Sequence, residues 1–243
     1  MGSFSKIDIK REVQLPKKKN ENLSEFIGIL TGDGYMNNYR KYDYVIEIAG
    51  HKNLDEDYLK NYVTDLSQEL FNIKPFILYR KDQKTIYLRI LSKAIYTYLK
   101  EIGFKEGIKG RIKIPLWIYN NTSFMKFFVR GLFDTDGSIS LKNKEKKIYP
   151  VISIVSKSDL LLRKVSSFLK KQGITFYFCK EKVIKPRYKK PLITFRLQIN
   201  GYKNLNKWFE IIGSCNQRHI SKLDRLEMGA RRVELRTFHI AQS

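Results

Sequence analysis

The chain of 243 residues carries 47 Lys and Arg residues against 24 Asp and Glu residues, which gives a formal net charge of +23 at pH 7. A hydrophobic fraction of 42%, with 15 Phe and 15 Tyr, is typical of a globular core and excludes intrinsic disorder. Because the basic excess runs along the whole chain, it favours a polyanionic partner such as nucleic acid over a merely solvated basic surface.

Targeting signals and cross-linking patterns are lacking in the sequence. No apolar run reaches the length of a secretory core or a membrane span, so no membrane partner is expected. Two cysteines, Cys179 and Cys215, are too few for a disulfide framework and favour an intracellular, reducing compartment such as the cytoplasm, nucleoid or an organelle matrix. Cys215 and His219 have ligand-like spacing without a second pair, so no zinc site is expected.

The first predicted element is an apolar helix that ends in an acid and a glycine, "FIGILTGDGYM". After it come a polar extended segment, the strand "YVIEIAG", the amphipathic helix "LDEDYLKNYVTDLSQELF", the strands "KPFILYR" and "TIYLRILS", and the helix "YTYLKEIG". The strands alternate apolar and polar residues, whereas the amphipathic helix has its apolar residues at helical spacing, at Leu59, Val63, Leu66 and Leu70.

The same order of elements returns in the second half of the chain. It runs through "FVRGLFDTDGSIS", "PVISIVS", "SDLLLRKVSSFLKKQGI" (with Ser158 as predicted N-cap), "TFYFCKEK", "LITFRLQING" and "NKWFEIIG". We therefore predict an α+β fold of two α-β-β-α-β-β-α repeats with antiparallel sheets, related by a pseudo-twofold axis. The predicted divisions are an N-terminal basic extension (1–22), a first repeat (23–120), a second repeat (121–228) and a C-terminal tail (229–243).

The two apolar helices are predicted to pack against each other. Gly28 and Gly32 are four residues apart and share a helix face, and Gly131 and Thr135 hold the matching positions in the second copy. Small residues at this spacing let two helix backbones approach closely. The packing would bring the two helix ends side by side at the pseudo-twofold axis.

An acid closes each of these helices, where the helix dipole already carries partial negative charge. Asp136 lies 103 residues after Asp33, and the two carboxylates would repel each other at the axis. A divalent cation between them is the expected solution, and oxygen ligands completed by water and phosphate are typical of Mg²⁺. The arrangement suits metal-assisted phosphodiester hydrolysis.

Two simpler interpretations compete for the acid-glycine pairs. Gly34 and Gly137 would be left-handed helix C-caps in ordinary turns, which explains either copy alone but not its recurrence. A calcium loop around "DTDGSI" fails, because Leu132 and Asn143 occupy positions where that loop needs acids.

"FIGILTGDG" and "VRGLFDTDG" resemble in register the nine-residue motif of the LAGLIDADG homing endonucleases, in their single-chain, two-motif form. The resemblance covers residues 23–228 and implies that Asp33 and Asp136 bind metal, with the backbone carbonyls of Gly32 and Thr135 as further contacts. Thr31 departs from the motif where Asp134 keeps it, and the family pattern gives that position a structural role.

The resemblance also implies a fold and a function. The paired sheets would form a saddle over double-stranded DNA, and the protein would be a monomer that cuts a long asymmetric target, leaves short 3′ overhangs and promotes intron mobility. Mg²⁺ is the expected cofactor, with Mn²⁺ as a substitute and Ca²⁺ supporting binding without cleavage. Two alternatives stay open: a maturase that binds its host intron RNA, and a non-catalytic DNA-binding regulator on the same fold.

Supporting residues follow from the resemblance together with position in the repeat. Lys109 and Lys222, each after an Ile-Gly helix end, are candidate catalytic lysines, with a solvated or phosphate-contacting lysine as the equal alternative. Amides, hydroxyls and Arg side chains on the strands are expected to read bases over roughly 20 base pairs, and lysines to hold phosphates. The predicted DNA contacts are Tyr35, Asn37, Asn38, Arg40, Lys41, Arg80, Lys81, Arg89, Ser138, Ser140, Lys142, Asn143, Lys180, Lys182, Lys185, Arg187 and Gln198.

Overall fold

A computed structural model describes residues 3–39, 43–80, 84–105, 112–144, 147–184 and 191–225. The predicted order of elements occurs twice within this part of the chain. The N-terminal segment and the first repeat contain α1 (Lys6–Lys10), α2 (Glu21–Gly32), β1 (Gly34–Tyr39), β2 (Asp43–His51), α3 (Lys52–Asp57), a π-helical turn (Tyr58–Val63), α4 (Thr64–Phe71), β3 (Phe76–Tyr79), β4 (Thr85–Leu91) and α5 (Lys93–Glu101).

The second repeat follows a short helical connection and repeats the pattern with longer strands. Its elements, with the connection, are α6 (Leu116–Tyr119), α7 (Thr122–Asp136), β5 (Gly137–Lys144), β6 (Lys147–Ser156), α8 (Asp159–Lys171), β7 (Tyr177–Val183), β8 (Leu192–Asn200) and α9 (Tyr202–Ile211). A further helical segment, 217–225, comes after α9.

Each repeat forms one antiparallel sheet of four strands. The strand orders are β1-β2-β4-β3 and β5-β6-β8-β7, so the two sheets have the same topology. The pair Gly34–Ile48 in the first sheet corresponds to Gly137–Ile154 in the second. The predicted α+β fold with two antiparallel sheets is confirmed, while the division at residues 22, 120 and 228 stays a prediction.

One face of each sheet packs against helices, because strand residues alternate between the two faces. Ile48 and Leu88 in the first sheet, and Ile154 and Leu197 in the second, are completely buried on that face. They belong to one continuous hydrophobic core that also contains the inner faces of α2 and α7. Burying each such side chain contributes about 1.5–3 kcal/mol.

Polar side chains fix where the helices begin. Asn20 and Asn121 cap the first turns of α2 and α7, and each side-chain oxygen accepts a hydrogen bond from a backbone N–H three residues later. Ser158 caps α8 by accepting from the N–H of Leu161 at 3.3 Å, as its sequence position predicts.

The long amphipathic helix of the first repeat differs from the prediction in its middle turn. Residues Tyr58–Val63 adopt π-helical geometry, and the hydroxyl of Thr64 donates to the carbonyl of Leu59. Tyr58 is buried and stacks on Tyr62 at 5.6 Å between ring centroids. The wider turn therefore brings two large rings to the core side, which 3.6-residue periodicity does not allow for.

The N-terminal segment is attached to the first repeat. Asp8, buried at the end of β4, accepts hydrogen bonds from the Ser92 hydroxyl at 2.6 Å and from the N–H of Ala94 at 3.1 Å. Within the described ranges, no helix has the length and apolar character needed to cross a membrane.

Candidate active site at the ends of the motif helices

The two motif helices, α2 and α7, pack against each other through their glycines. A Cβ atom on Gly28 would overlap the carbonyl of Phe128 and lie 3.1 Å from the nitrogen of Leu132. A Cβ atom on Gly131 would overlap the carbonyl of Glu25 and lie 2.9 Å from the nitrogen of Ile29. These contacts are reciprocal at an offset of 103 residues, as a pseudo-twofold axis between the helices requires.

The axis passes near the C-terminal ends of both helices. Gly32 faces Thr135, its own counterpart, so closely that a Cβ atom on Gly32 would lie 2.8 Å from the Cβ of Thr135 and 3.4 Å from the nitrogen of Asp136. Asp33 is the C-cap of α2, Asp136 is the last residue of α7, and both are half-buried. The motif acids therefore follow directly on the closest approach of the two helices.

Each acid is followed at once by the first strand of its sheet. Gly34 and Gly137 are buried strand residues, and Gly137 has φ −85°, so the left-handed turn considered from the sequence is not formed there. A Cβ atom at either glycine would overlap the last helical turn, at Leu30 or at Phe133. The glycines allow the strand to leave the helix without an intervening loop, which places each acid at a helix–sheet junction.

The end of α7 is held by residues that come after α9. Arg218 donates from Nη2 to the carbonyls of Asp134, at 3.0 Å, and Thr135, at 2.9 Å, while Asn216 donates from Nδ2 to the Asp134 carbonyl at 2.9 Å. Both side chains also reach Asp55 of the first repeat, at 3.1 Å from Arg218 Nη1 to Oδ1 and 2.9 Å from Asn216 Nδ2. A cation at a helix C-terminus opposes the partial negative charge there.

This cross-repeat tie bears on the predicted metal contact at the Thr135 carbonyl. A carbonyl oxygen has two lone pairs, so the bond from Arg218 leaves one of them available. The sequence stretch "NQRHISK" containing Arg218 directs attention to its final lysine, Lys222, and Arg218 was missed because backbone carbonyls leave no signal in a sequence.

Asp134, two residues before the second motif acid, lies inside the protein. Its carboxylate accepts a hydrogen bond from the Ser214 hydroxyl at 2.5 Å and one from the N–H of Cys215 at 2.9 Å. Burial raises its pKa to about 7, although both hydrogen bonds act in the opposite direction. At the equivalent position, Thr31 donates to the Ile27 carbonyl of its own helix at 2.7 Å.

A second acidic group lies nearby: one ligand atom each of Glu25, Asp134 and Cys215 lie within 4.8 Å of one another. Glu25 is fully buried and forms a two-point ion pair with Arg130, with Nε at 2.8 Å from Oε1. Burial raises the pKa of the Cys215 thiol to about 11, so the thiol is protonated at neutral pH. Because Glu25 is already paired with the Arg130 guanidinium and the thiol is protonated, this group is a buried network that supports the helices.

The candidate lysines are only partly described. Lys222, on helical segment 217–225, donates from Nζ to the Ile139 carbonyl at 3.1 Å, three residues beyond Asp136. Burial lowers its pKa, and Arg218 and Arg225 lower it further. Its counterpart candidate, Lys109, lies outside the described residues.

Equivalent rows of residues cross the two sheets next to the motif acids. Their members share strand register and the face turned away from the helices; the rows are Tyr35–Glu47–Arg89–Phe76 and Ser138–Ser153–Gln198–Tyr177. Arg89 donates to Glu47 at 2.6 Å, whereas Gln198 accepts from Lys142 at 3.3 Å. The structure thus gives the predicted pair, Arg89 and Gln198, equivalent positions with different partners.

The other predicted DNA contacts are divided between faces. Asn37, Ser140 and Lys142 share the outer face with the two rows, and Arg80 lies over the ring of Tyr87 at 5.3 Å. Because strand residues alternate between the two faces, four candidates lie on the opposite face of their sheets: Asn38, Asn143, Lys180 and Lys182. The candidates outside the described residues are Arg40, Lys41, Lys81, Lys185 and Arg187.

Two family models match the chain, one to each repeat. The model of the WhiA LAGLIDADG-like domain matches residues 23–110, and that of a LAGLIDADG-like domain matches residues 123–213. Each match begins near the start of a motif helix and includes its acid.

Curated proteins with similar sequences are longer than this chain. An uncharacterized protein of Methanocaldococcus jannaschii is 28% identical over 176 residues, which are 72% of this chain and 63% of that protein. The DNA polymerase of Thermococcus litoralis is 28% identical over 153 residues, 62% of this chain but 8% of that protein. The chain spans less than two thirds of the length of both relatives.

Solved structures with the same fold include nucleases and a WhiA protein. I-DmoI in complex with DNA and Mn has a TM-score of 0.53 at 22% identity, covering 79% of this chain and 97% of that one. The homing endonuclease I-WcaI bound to its DNA recognition sequence has 0.56 at 15%, covering 87% and 89%. Full-length WhiA from Thermatoga maritima has 0.51 at 15%, covering 100% and 74%. At identities this low, the similarity shows a shared fold and nothing more specific.

Proposed function

Because the chain belongs to the LAGLIDADG family and carries both motifs, we propose that it is a monomeric, site-specific endonuclease that hydrolyses double-stranded DNA with the help of a divalent metal. The observation that carries this proposal is the retention of an acid at both helix–sheet junctions, on either side of the pseudo-twofold axis. Related solved structures contain DNA together with Mn or Ca, which supports the same conclusion.

The donor set at the junctions fits a hard cation. Asp33 and Asp136 supply carboxylate oxygens, and Gly32 and Thr135 supply the preceding carbonyls, which is the oxygen chemistry that Mg²⁺ and Mn²⁺ prefer. When bound, such a metal would activate a water molecule and neutralise the charge that develops on the phosphate and the leaving oxygen. The close approach of Gly32 to Thr135 would hold the two acids at a fixed separation.

Other side chains of the second repeat would orient the site. Arg218 is engaged with two carbonyls and Asp55, so its role would be to fix the end of α7. Lys222 uses one N–H on the Ile139 carbonyl and retains others for a phosphate oxygen or an ordered water. Lys109 stays the sequence-based candidate for the same role in the first repeat.

The outer faces of the two sheets would contact the DNA major groove. Since equivalent rows carry different residues, the two half-sites would differ, which gives a long asymmetric target. Cleavage would leave short 3′ overhangs and promote intron mobility, in an intracellular setting. These finer points rest on family membership and on the divergence of the two sheets.

A non-catalytic DNA-binding role is the second candidate, and a specific observation favours it. The first repeat matches the WhiA domain model, and a full-length WhiA protein shares the fold over the whole chain. The two retained acids favour the nuclease. The solved nucleases described above are bound to DNA, so intron RNA stays only a sequence-based alternative.

Cleavage of a randomised duplex library tests the proposal. The wild type with Mg²⁺ should produce cut ends enriched for one asymmetric site, while Ca²⁺ should give binding without cutting. Asp136→Asn should lower the cleavage rate about a thousandfold, since a metal ligand contributes several kcal/mol to the transition state. Asp65→Asn, which changes an exposed carboxylate of α4, is the matched control and should cut normally.

Two results would contradict the nuclease. Binding of one DNA sequence with no cleavage in Mg²⁺ or Mn²⁺ would favour the regulator. Selective binding of a structured intron RNA in the absence of DNA cleavage would favour the maturase.

A further inference from the structure

The outer face of the first sheet exposes an unusual number of large apolar side chains. Five of them share this face, and each is between 36% and 46% exposed: Tyr35, Tyr39, Phe76, Leu78 and Leu91. Tyr87 and Val45 lie among them, and the face forms a concavity of about 800 Å³. Apolar groups left in water on this scale indicate a binding surface.

The second sheet presents a different chemistry on its equivalent face. Among its described residues, Tyr177 is the only large hydrophobic side chain on that face exposed to a comparable degree. The exposed positions are otherwise hydroxyl, amide and ammonium groups, at Ser138, Ser140, Lys142 and Asn200, with Gln198 half-buried between them. A half-buried ion pair between Arg196 and Glu181 also lies on this face.

The charged groups of the first face are largely occupied with one another. Arg89 is paired with Glu47 through Nε at 2.6 Å, and Arg80 lies over the Tyr87 ring. Asp43 adds a further exposed carboxylate, which disfavours close contact with phosphates. The remaining side-chain donors on this face are the Asn37 amide and three tyrosine hydroxyls, of which those of Tyr39 and Tyr35 are bonded to each other.

The position of the face identifies its occupant. Tyr35 comes two residues after Asp33, and the row from Tyr35 to Phe76 leads away from the motif acids across all four strands. A duplex cut at the acids must extend along this face. In the major groove, the one apolar group that a base pair presents is the C5-methyl of thymine.

We propose that the first repeat reads its half of the DNA target mainly by packing the exposed aromatic and aliphatic side chains of its sheet against thymine methyl groups. The second repeat reads its half by hydrogen bonds from hydroxyl, amide and ammonium groups. This assignment rests on the proposed function and adds a substrate class to it, namely a target with a thymine-rich half and a half of mixed sequence.

Replacement of thymine by deoxyuridine tests the assignment, because it removes the methyl and leaves base pairing unchanged. A target is first selected from a random duplex library by binding in Ca²⁺ to the full chain. Two duplexes are then made, each with all thymines of one half replaced, and their dissociation constants are measured. We expect about a fourfold loss of affinity per contacted thymine in one half, and a change within about twofold in the other half.

Two variants connect the effect to the first sheet. Leu78→Ala, at an exposed position, should bind more weakly and reduce the difference between the thymine and uracil duplexes by about the share of one contacted thymine. Tyr177→Ala, which truncates the exposed aromatic side chain of the second sheet, should keep that difference in full.

The outcomes separate this inference from the proposed function. If the selected site is bound and cut with Mg²⁺ but uracil weakens both halves equally or neither, the methyl readout is wrong and the nuclease stands. If Leu78→Ala leaves the difference intact, the first sheet is not the reader and the inference is overturned. If no DNA sequence is enriched, both the inference and the proposed nuclease fail.

Discussion

The C-terminal ends of α2 and α7 hold equivalent places, yet the protein supports them differently. At the packing glycines the two helices make the same contacts in both directions, because each helix is the other's partner. Behind that contact, Thr31 bonds within its own helix, whereas Asp134 and its carbonyl are held by Ser214, Asn216 and Arg218. The contact between the two helices is therefore the same in both repeats, whereas the residues that support each helix end differ.

The largest change in stability is expected from removing the support that only α7 has. Arg218→Met keeps the apolar stem but leaves the buried Asp55 carboxylate without its cation, and should cost about 3 kcal/mol of unfolding free energy. Urea unfolding measures the change. Arg163→Met, in an exposed pair with Asp159, is the control and should cost less than about 1 kcal/mol.

A second change separates the buried charge from packing. Asp55→Asn added to Arg218→Met should recover more than half of the loss, since the amide leaves no buried charge and can still accept from Asn216. Equal stability of the single and double variants would show that Arg218 acts only through the α7 carbonyls.

The shared contact between the helices should respond equally in both copies. Gly28→Ala and Gly131→Ala each push a Cβ into the opposing backbone, and should cost about 2 kcal/mol after the gain of about 1 kcal/mol in helix propensity. Thermal and urea unfolding should give the two variants losses within about 0.5 kcal/mol of each other, and Ser167→Ala, exposed in α8, no measurable loss. Unequal losses would indicate that the two glycine contacts, although alike in geometry, contribute differently to stability.

Substitution of the residues two positions before the motif acids, Asp134 and Thr31, should change the free energy of unfolding by different amounts. Asp134→Val leaves the Ser214 hydroxyl and the Cys215 N–H without their acceptor and should cost about 2 kcal/mol. Thr31→Val removes only a bond within α2 and should change stability by about 0.5 kcal/mol in either direction. Similar effects at both sites in chemical unfolding would remove the contrast between the two ends.

The smallest effect is a pH dependence that the second repeat contributes. His219 is buried and stacks on Phe133 at 4.3 Å, and burial lowers its pKa from 6.5 to about 3. As the pH falls below 6.5, His219 binds a proton in the unfolded chain but not in the folded protein. Its contribution to the free energy of unfolding is therefore fully present above pH 6.5 and is lost as the pH falls towards 3. Between pH 6.5 and 5.5 the loss from this residue should be about 1 kcal/mol.

A histidine variant isolates this contribution. His219→Gln should flatten the stability profile over that pH interval. An unchanged slope in His219→Gln would mean that the imidazole is protonated inside the folded protein.

Local patterns predicted most of the fold. The alternation of apolar and polar residues in "PVISIVS" predicts a strand. The glycines of the motif helices predict a close helix–helix contact. The π-helical turn was not predictable, because Tyr58 and Tyr62 both fit an α-helix in sequence. The pairing of Tyr177 with Gln198 fixes which residues of β7 lie on the outer face of the second sheet. The predicted contacts Lys180 and Lys182 fall on the other face, because their choice as basic residues took no account of strand register.

The supporting layer of the candidate site was the hardest part to predict. Asp55 and Arg218 are separated by 163 residues, and what Arg218 holds are backbone carbonyls, which every residue possesses. The motif acids, in contrast, were identifiable because the chain places them at the same unfavourable helix end twice.

The link from Asp55 to Arg218 has a consequence for the history of this chain. A duplicated protein can in principle return to a symmetric pair of identical halves. Here, matching β2 to β6 through their sheet register puts Leu161, an aliphatic core residue, in the place of Asp55. Two copies of the second half would therefore lack the carboxylate that pairs with Arg218, so the two halves of this chain are not interchangeable.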